Sequence, residues 1–265
     1  MNRVELEAAI SARVQTVPLG QGRVLARVLG GLKIFLSADD LGFGCHLMLD
    51  GYWESWLTLF FARYVTPGKT VIDVGANFGY YTILFAAGVG PSGRVIAIEP
   101  VPGTVALLND TVTLNGFSSF TRVVAAAAGA KSSGELHMIV PAREPKNSAV
   151  VGAPQDGSII VPSCTIDELA NELDRVDLVK IDVEGSEMNV IAGMRETINR
   201  CRPAILLEYN AARYGDPRGF LELLLSAYGT VKSIGWDGTP ESVSLETIIT
   251  TRFGEDWMLL FPHPE

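Results

Sequence analysis

Apolar and polar positions divide the chain into two regimes. From Lys69 onward, short Val/Ile/Leu-rich runs alternate with stretches of helical spacing. This predicts strands at 69–74, 94–99, 120–125, 177–182, 203–209, 230–235 and 257–262, and helices at 79–87, 102–114, 165–174, 187–199 and 218–228. In the second of these helices Val105, Leu108 and Val112 share one face, and Asn115-Gly116 supplies a stop. Thr165-Ile166-Asp167-Glu168 has the pattern of a capping box. Alternation of this kind predicts an α/β fold, a mostly parallel sheet with helices on both faces.

The first 66 residues read differently and are expected to form an extension to the domain at 67–265. A weakly helical start from Glu5 to Val14 ends at Pro18. Alternating runs at 23–28 and 32–36 around Gly30-Gly31 predict a hairpin. Residues 39–51 read as a Gly-rich loop, and Trp53 to Tyr64 as an aromatic helix ended by Pro67-Gly68. A second break falls at 134–163, where two β-like runs, Glu135–Val140 and Ile159–Pro162, flank a Pro/Gly/Asn-rich loop at 141–157. Long loops inside compact domains are usually functional or mobile.

Composition narrows the function classes. With 265 residues and 48% hydrophobic positions the chain can build a sizeable core. Net charge is −9 and the Lys and Arg residues do not cluster, which disfavours nucleic acid as a partner. No apolar run has the length of a membrane helix, and the N-terminus lacks a signal-peptide pattern. Three scattered cysteines and three histidines argue against a disulfide framework or a zinc site, so a reducing, cytoplasmic setting is expected. A homo-oligomer stays open, because the hairpin at 23–36 can cover the chain's own edge or pair with a second copy.

The chemistry concentrates where strands end. Asp73-Val74-Gly75-Ala76-Asn77-Phe78-Gly79 follows the first Val/Ile strand, and Val95-Ile96-Ala97-Ile98-Glu99-Pro100 follows one strand–helix unit later. Glycines there permit a sharp turn and close approach, and the helix start offers N–H groups to an anion. A carboxylate at Glu99 can accept hydrogen bonds from both hydroxyls of a ribose. The glycine spacing is not that of a dinucleotide fingerprint, and no phosphate loop exists. S-adenosylmethionine (SAM) fits better, with its ribose on Glu99, its carboxylate on the amides near Gly79 and Tyr80, and its ammonium group near Asp73.

Asp73-Val-Gly-Ala-Asn-Phe-Gly-Tyr-Tyr-Thr82, Ile98-Glu-Pro100, Thr165-Ile-Asp-Glu-Leu169, Val179-Lys-Ile-Asp-Val-Glu-Gly185 and Leu207-Glu208 together resemble the FkbM-type SAM-dependent methyltransferases. The resemblance implies a Rossmann-like class I fold of seven strands, six parallel and one reversed, whose last two form a hairpin. It also implies O-methylation of small molecules such as sugars or polyketide-type natural products. Together these readings expect the cofactor on Glu54, Asp73, Gly75, Ala76, Asn77, Gly79, Tyr80, Tyr81, Glu99, Pro100, Ala126 and Asp182.

Catalytic candidates lie in the second half. Asp182, Glu184 and Glu208 sit at or just beyond strand ends, where ligands bind in open α/β sheets. Asp182 has a rival reading as a helix cap and as a structural partner of Lys180, and Glu208 as an exposed strand-end acid. Asp182, Glu208 and Asn210 offer hard oxygens to Mg²⁺. The catechol-type pattern has a lysine three residues after its first Asp, however, and this chain has Gly185 there. A metal-independent mechanism is therefore favoured, with Glu184 or Asp182 as base and His46 as a rival. The acceptor pocket is expected from the segment 39–53, with Tyr52, Trp53 and Glu54, and from the loop 141–157 with Asn147, one of the two covering the site. The other functions weighed are a nicotinamide-dependent oxidoreductase and a non-catalytic SAM-binding module.

Overall fold

The computed structural model describes residues 1–132, 134–141, 143 and 148–263. Helix α1 (Arg3–Ser11) leads into an antiparallel sheet of β1 (Gln15–Gly20), β2 (Arg23–Val28) and β3 (Leu32–Ser37), followed by α2 (Phe43–Asp50) and α3 (Ser55–Tyr64). The hairpin read at 23–36 is the β2–β3 pair, and β1 adds an edge strand to it. Its turn takes positive φ at Leu29 and Gly30 rather than at Gly30-Gly31. Val24, Ala26, Val28, Ile34 and Leu36 face inward and pack in one cluster with Phe43, Leu47, Leu57 and Phe61. This burial explains why 43–50, expected as loop, is helical. Phe43 and Leu47 recur one turn apart on the buried face, Gly44 lies within the first turn, and Gly42 and Gly51 flank the helix, Gly51 as a left-handed cap.

Beyond α3 come β4 (Thr70–Val74), α4 (Tyr80–Val89), β5 (Arg94–Ile98), α5 (Pro102–Leu114), β6 (Thr121–Val124) and a short β7 (Ala127–Ala128). The break in alternation holds β8 (Glu135–Ile139), β9 (Ala149–Val151) and β10 (Ile159–Cys164). These three join β7 in a small sheet of order β7-β10-β8-β9, closed by Ala127, Met138 and Val161. The chain continues through α6 (Ile166–Ala170), β11 (Leu178–Ile181), α7 (Glu187–Ala192), α8 (Arg195–Cys201), β12 (Ala204–Tyr209) and a single 3-10 turn at Ala211–Arg213. It ends with α9 (Pro217–Tyr228), β13 (Lys232–Ile234), β14 (Pro240–Ser242), α10 (Leu245–Thr250) and β15 (Trp257–Phe261).

The main sheet has the order β14-β13-β15-β12-β11-β4-β5-β6. Strands β6, β5, β4, β11 and β12 are parallel, and β15 runs against both β12 and β13. Without β14 this is the expected class I arrangement. The eighth strand pairs with β13 in the long connection before β15, so the tight hairpin is β13–β14 and the β13–β15 pair is bridged by α10. The helix expected over 187–199 is broken in two. At the break, a side chain on Gly193 would place its Cβ 2.0 Å from the Gly129 carbonyl oxygen, so the chain turns where only glycine fits. Every residue of β4 is buried, as a central strand covered on both faces requires. Among the described residues, no helix is long and apolar enough to cross a membrane.

Candidate active site

The turn after β4 is shaped by contacts within the chain. Gly75 and Ala76 both donate to the Ile98 carbonyl at 3.0 Å, tying the turn to the end of β5. Gly75 has φ +79°, and a Cβ there would fall 1.9 Å from the Asp182 carbonyl oxygen. The close approach that this glycine permits is thus to the neighbouring strand end. Gly79 (φ +98°) caps α4, and a Cβ on it would lie 2.6 Å from Leu108 Cδ1. Its N–H is spent on the Ala76 carbonyl. The first helical bond runs from Ile83 to the Gly79 carbonyl, so the amides of Tyr80 and Tyr81 precede the ladder.

Glu99 stands at the end of β5, 6% exposed. The backbone N–H of Asn77 donates to its Oε2 and that of Val101 to its Oε1, each at 2.9 Å. These amides fix the plane of the carboxylate and leave lone pairs for a ligand. Burial raises its carboxyl, against the pull of the two amides, to about 7.

Asp73 was expected at the ammonium group of SAM. Instead it lies fully buried beneath the cavity and is not part of its wall. It accepts from Thr82 Oγ1 at 2.6 Å and sits 3.7 Å from Lys180 Nζ. Lys180 turns its other side to Asp182 Oδ2 at 3.1 Å and lies over the Tyr81 ring at 5.2 Å. Burial works against the lysine's charge, yet Asp182 and Asp73 together hold it above the ordinary lysine range. Asp182 does not cap α7: Ser186 is at that position, without a side-chain cap.

The buried carboxylate of Glu187 organises the turn after β11. It accepts from the N–H groups of Val183 and Gly185 and from the Tyr214 hydroxyl, the last at 2.7 Å. Glu184, at φ 53°, is thereby presented beside Asp182 and Glu208. Oxygens of these three acids come within 4.8 Å of one another. Arg213, from the 3-10 turn, reaches into this group at 2.9 Å from Glu184, 2.7 Å from Glu208 and 3.2 Å from Asp256. Burial, then the nearby Asp182 charge, pushes Glu208 up to about 9 despite Arg213. Burial also raises Glu184, against the pull of Arg213.

Glu99, Lys180, Asp182, Glu184 and Glu208 all face one open cleft of about 1060 Å³, its mouth included. Glu54, Gly75, Ala76, Asn77, Tyr80, Tyr81, Glu99, Pro100 and Ala126 line it together with Asp182, Glu184 and Glu208; Glu99 follows β5 while the three acids stand at the ends of β11 and β12, on the opposite side of β4. Phe43, Trp53 and Glu54 from the first 66 residues, Met138 and Val150 from the small sheet, and Ser148 just before β9 also line it. Both added segments therefore reach the cleft. Glu54 is held there by the Tyr81 hydroxyl, which donates to its Oε2 at 2.7 Å.

Several expected residues lie elsewhere. Gly79 is absent from the wall, because it faces α5. His46 packs its ring on Trp53 at 5.5 Å and faces Asp50 on the surface, outside the cleft. Asn210 spends its amide on the Gly254 carbonyl and Asp256, and its oxygen accepts from Ala212, so it is no ligand for a cation in the cluster. Tyr52 is not in the wall, and Asn147 lies outside the described residues. The residues that sequence reasoning passed over are Arg213, Glu187, Tyr214, Phe43, Met138 and Val150. Only Glu187 had a visible signal, an acid in the first turn of a helix directly after the acid-rich turn.

Comparison with known proteins adds a family to this geometry. Residues 73–230 match the methyltransferase FkbM domain. The hexuronic acid methyltransferase AglP of Haloferax volcanii is 29% identical over 161 residues, covering 58% of this chain and 61% of AglP. The 2-O-methyltransferase NoeI of Sinorhizobium fredii is 28% identical over 158 residues, covering 54% of this chain and 64% of NoeI. A crystal structure of methyltransferase FkbM from Methylobacillus flagellatus superposes with a TM-score of 0.48 and 19% identity, over 73% of this chain and 43% of that one. The chain thus spans less than two thirds of the length of each of these proteins. The domain match runs from Asp73 beneath the cleft, through the acid cluster, to the last crossover of the sheet, and on that match the chain belongs to the FkbM methyltransferase family.

Proposed function

We propose that this protein transfers a methyl group from SAM to a hydroxyl oxygen of a small polar molecule, such as a sugar or a polyketide-type metabolite. The observation that carries the reading is a single cleft with Glu99 oriented on one side of β4 and Asp182, Glu184 and Glu208 gathered on the opposite side. Cofactor and acceptor then occupy one continuous space. The names of AglP, a hexuronic acid methyltransferase, and NoeI, a 2-O-methyltransferase, support the reading of a sugar-like acceptor and of methylation on oxygen respectively.

The residues fit the cofactor. Glu99 is aimed by two amides and has lone pairs left for ribose hydroxyls, while the amides of Tyr80 and Tyr81 precede the ladder of α4 and suit a carboxylate. Five acids line the cleft, Glu54, Glu99, Asp182, Glu184 and Glu208, against one lysine. Such a wall suits a cationic sulfonium and repels the two phosphates of a nicotinamide dinucleotide. When bound, SAM supplies an electrophilic methyl group on its sulfonium.

The chain's own contribution is alignment and proton management. Phe43, Trp53, Met138 and Val150 give the cleft apolar walls, which favour an acceptor held out of contact with water. Glu184 is the base: burial makes its carboxylate more basic than usual, and its oxygen accepts the acceptor's hydroxyl proton. Glu208, raised to about 9, keeps its proton at neutral pH beside it, and its Oε2 accepts from Arg213. No divalent ion is required for these steps. The test is calorimetric titration with S-adenosylhomocysteine, the demethylated product. We expect saturable binding by the wild-type chain and severe weakening in Glu99→Ala; a wild-type chain that binds none overturns the reading.

A further inference from the structure

Every carboxylate of the acid cluster already faces a side-chain cation held by the fold. Lys180 Nζ lies 3.1 Å from Asp182 Oδ2, and one guanidinium, that of Arg213, reaches Glu184 at 2.9 Å and Glu208 at 2.7 Å. Arg213 itself is fixed from two sides. Its neighbour Tyr214 donates to Glu187, which shapes the turn carrying Glu184. Its third partner, Asp256, is pinned by the Asn210 amide at 2.9 Å.

We propose that Arg213 is a positioning residue that stands in for a divalent cation: its guanidinium sets the spacing of Glu184 and Glu208 and keeps the three-acid cluster from taking up a metal ion. The inference rests on the methyltransferase reading, in which this cluster receives the acceptor's proton. Oxygens within 4.8 Å of one another are close enough for one hard cation to bridge. A guanidinium meets the same need differently. It never gives up its proton, and its rigid fork engages two acids at a defined separation. A metal ion entering the cluster has to displace these charge-assisted hydrogen bonds and approach a like charge. A single guanidinium charge lowers a carboxylate's basicity less than direct coordination to a divalent ion does.

The test compares Mn²⁺ binding, read from the signal of free Mn²⁺ in electron paramagnetic resonance, by the wild type, Arg213→Lys, Arg213→Met and Arg213→Gln. Titration with S-adenosylhomocysteine checks that each variant is folded. We expect the two neutral variants to bind Mn²⁺ at least about tenfold more tightly than the wild type, because the acid oxygens become available as ligands. The lysine variant should return to wild-type behaviour, which loss of fold alone does not produce. A neutral variant that still binds S-adenosylhomocysteine but gains no Mn²⁺ affinity overturns the inference. So does a wild type that binds Mn²⁺ as tightly as the variants and loses it in Asp182→Asn. Should both neutral variants fail to fold, the wild-type titration decides: absence of binding supports the proposal, and tight binding abolished by Asp182→Asn rejects it. A wild type that ignores S-adenosylhomocysteine counts against the proposed function alone; the folding of each variant is then checked by circular dichroism, and a folded neutral variant that gains no Mn²⁺ affinity still overturns the inference.

Discussion

Gly75 and Asp182 meet backbone to backbone: a methyl group on Gly75 would sit 1.9 Å from the Asp182 carbonyl oxygen. The turn after β4 and the strand end bearing the acid cluster are therefore in direct contact, at a distance that a side chain on residue 75 does not allow. Gly75→Ala should force them apart. The left-handed backbone at φ +79° alone costs a non-glycine residue about 1–2 kcal/mol, and the clash adds to it. The expected outcome is a loss of about 2–4 kcal/mol in urea denaturation together with weakened S-adenosylhomocysteine binding. An unchanged midpoint would show that the turn yields without cost.

Lys180 bridges Asp73 and Asp182, and Asp73 has no exposure to water. Removing one partner of a buried ion pair strands the other, at a cost of about 3–5 kcal/mol. Lys180→Met should destabilise the chain by that order, and adding Asp73→Asn should recover part of the loss. A thermodynamic cycle built from denaturation of the four proteins measures the coupling; additive losses would show that the two groups act independently.

Much of this was legible in the sequence, for reasons that also explain the failures. The central strands alternate with helices at a period that only a parallel sheet satisfies, so β4, β5, β11 and β12 stand where they were read. Glu99, Asp182, Glu184 and Glu208 were readable because an acid ending a Val/Ile run falls at the ligand-binding edge of such a sheet. Asp73 belongs to the same strand-end pattern, but it is fully buried, 3.7 Å from Lys180, and does not line the cleft. Arg213 carried no local signal. It lies in a 3-10 turn without periodicity, and its partners are 29, 5 and 43 residues away along the chain, at Glu184, Glu208 and Asp256. Helix α2 was hidden by its flanking glycines, which mark its ends rather than a loop.

Glu99 gives stability and affinity opposite dependences on pH. Its carboxyl lies near 7 in the folded chain and at an ordinary 4.5 without the fold. Between those values the folded chain holds a proton that the unfolded chain releases, so stability is full below about 4.5 and declines as pH rises through 7. The effect is at most on the order of 3 kcal/mol, and Glu99→Gln should flatten it in thermal melts taken across this range. Ribose hydroxyls prefer the ionised acid, so wild-type affinity for S-adenosylhomocysteine should rise over the same interval. Parallel melts of wild type and Glu99→Gln across the interval would refute the assignment.

Glu184 and Glu208 share Arg213 but are assigned different jobs, and isosteric amides separate them. Glu184→Gln keeps the size of the side chain and removes the base, so S-adenosylhomocysteine affinity should stay within about threefold while turnover falls by about 10²–10⁴. The acceptor for this measurement comes from screening hydroxylated metabolites with methyl-labelled SAM. Glu208→Gln retains a hydrogen-bond donor where the protonated acid stood and should cost far less, about tenfold or under. It should also abolish the decline in activity expected as pH approaches 9, where wild-type Glu208 loses its proton and the cluster gains a negative charge. The reverse order of losses, with Glu208→Gln the more damaging and Glu184→Gln near wild type, would move the base to Glu208.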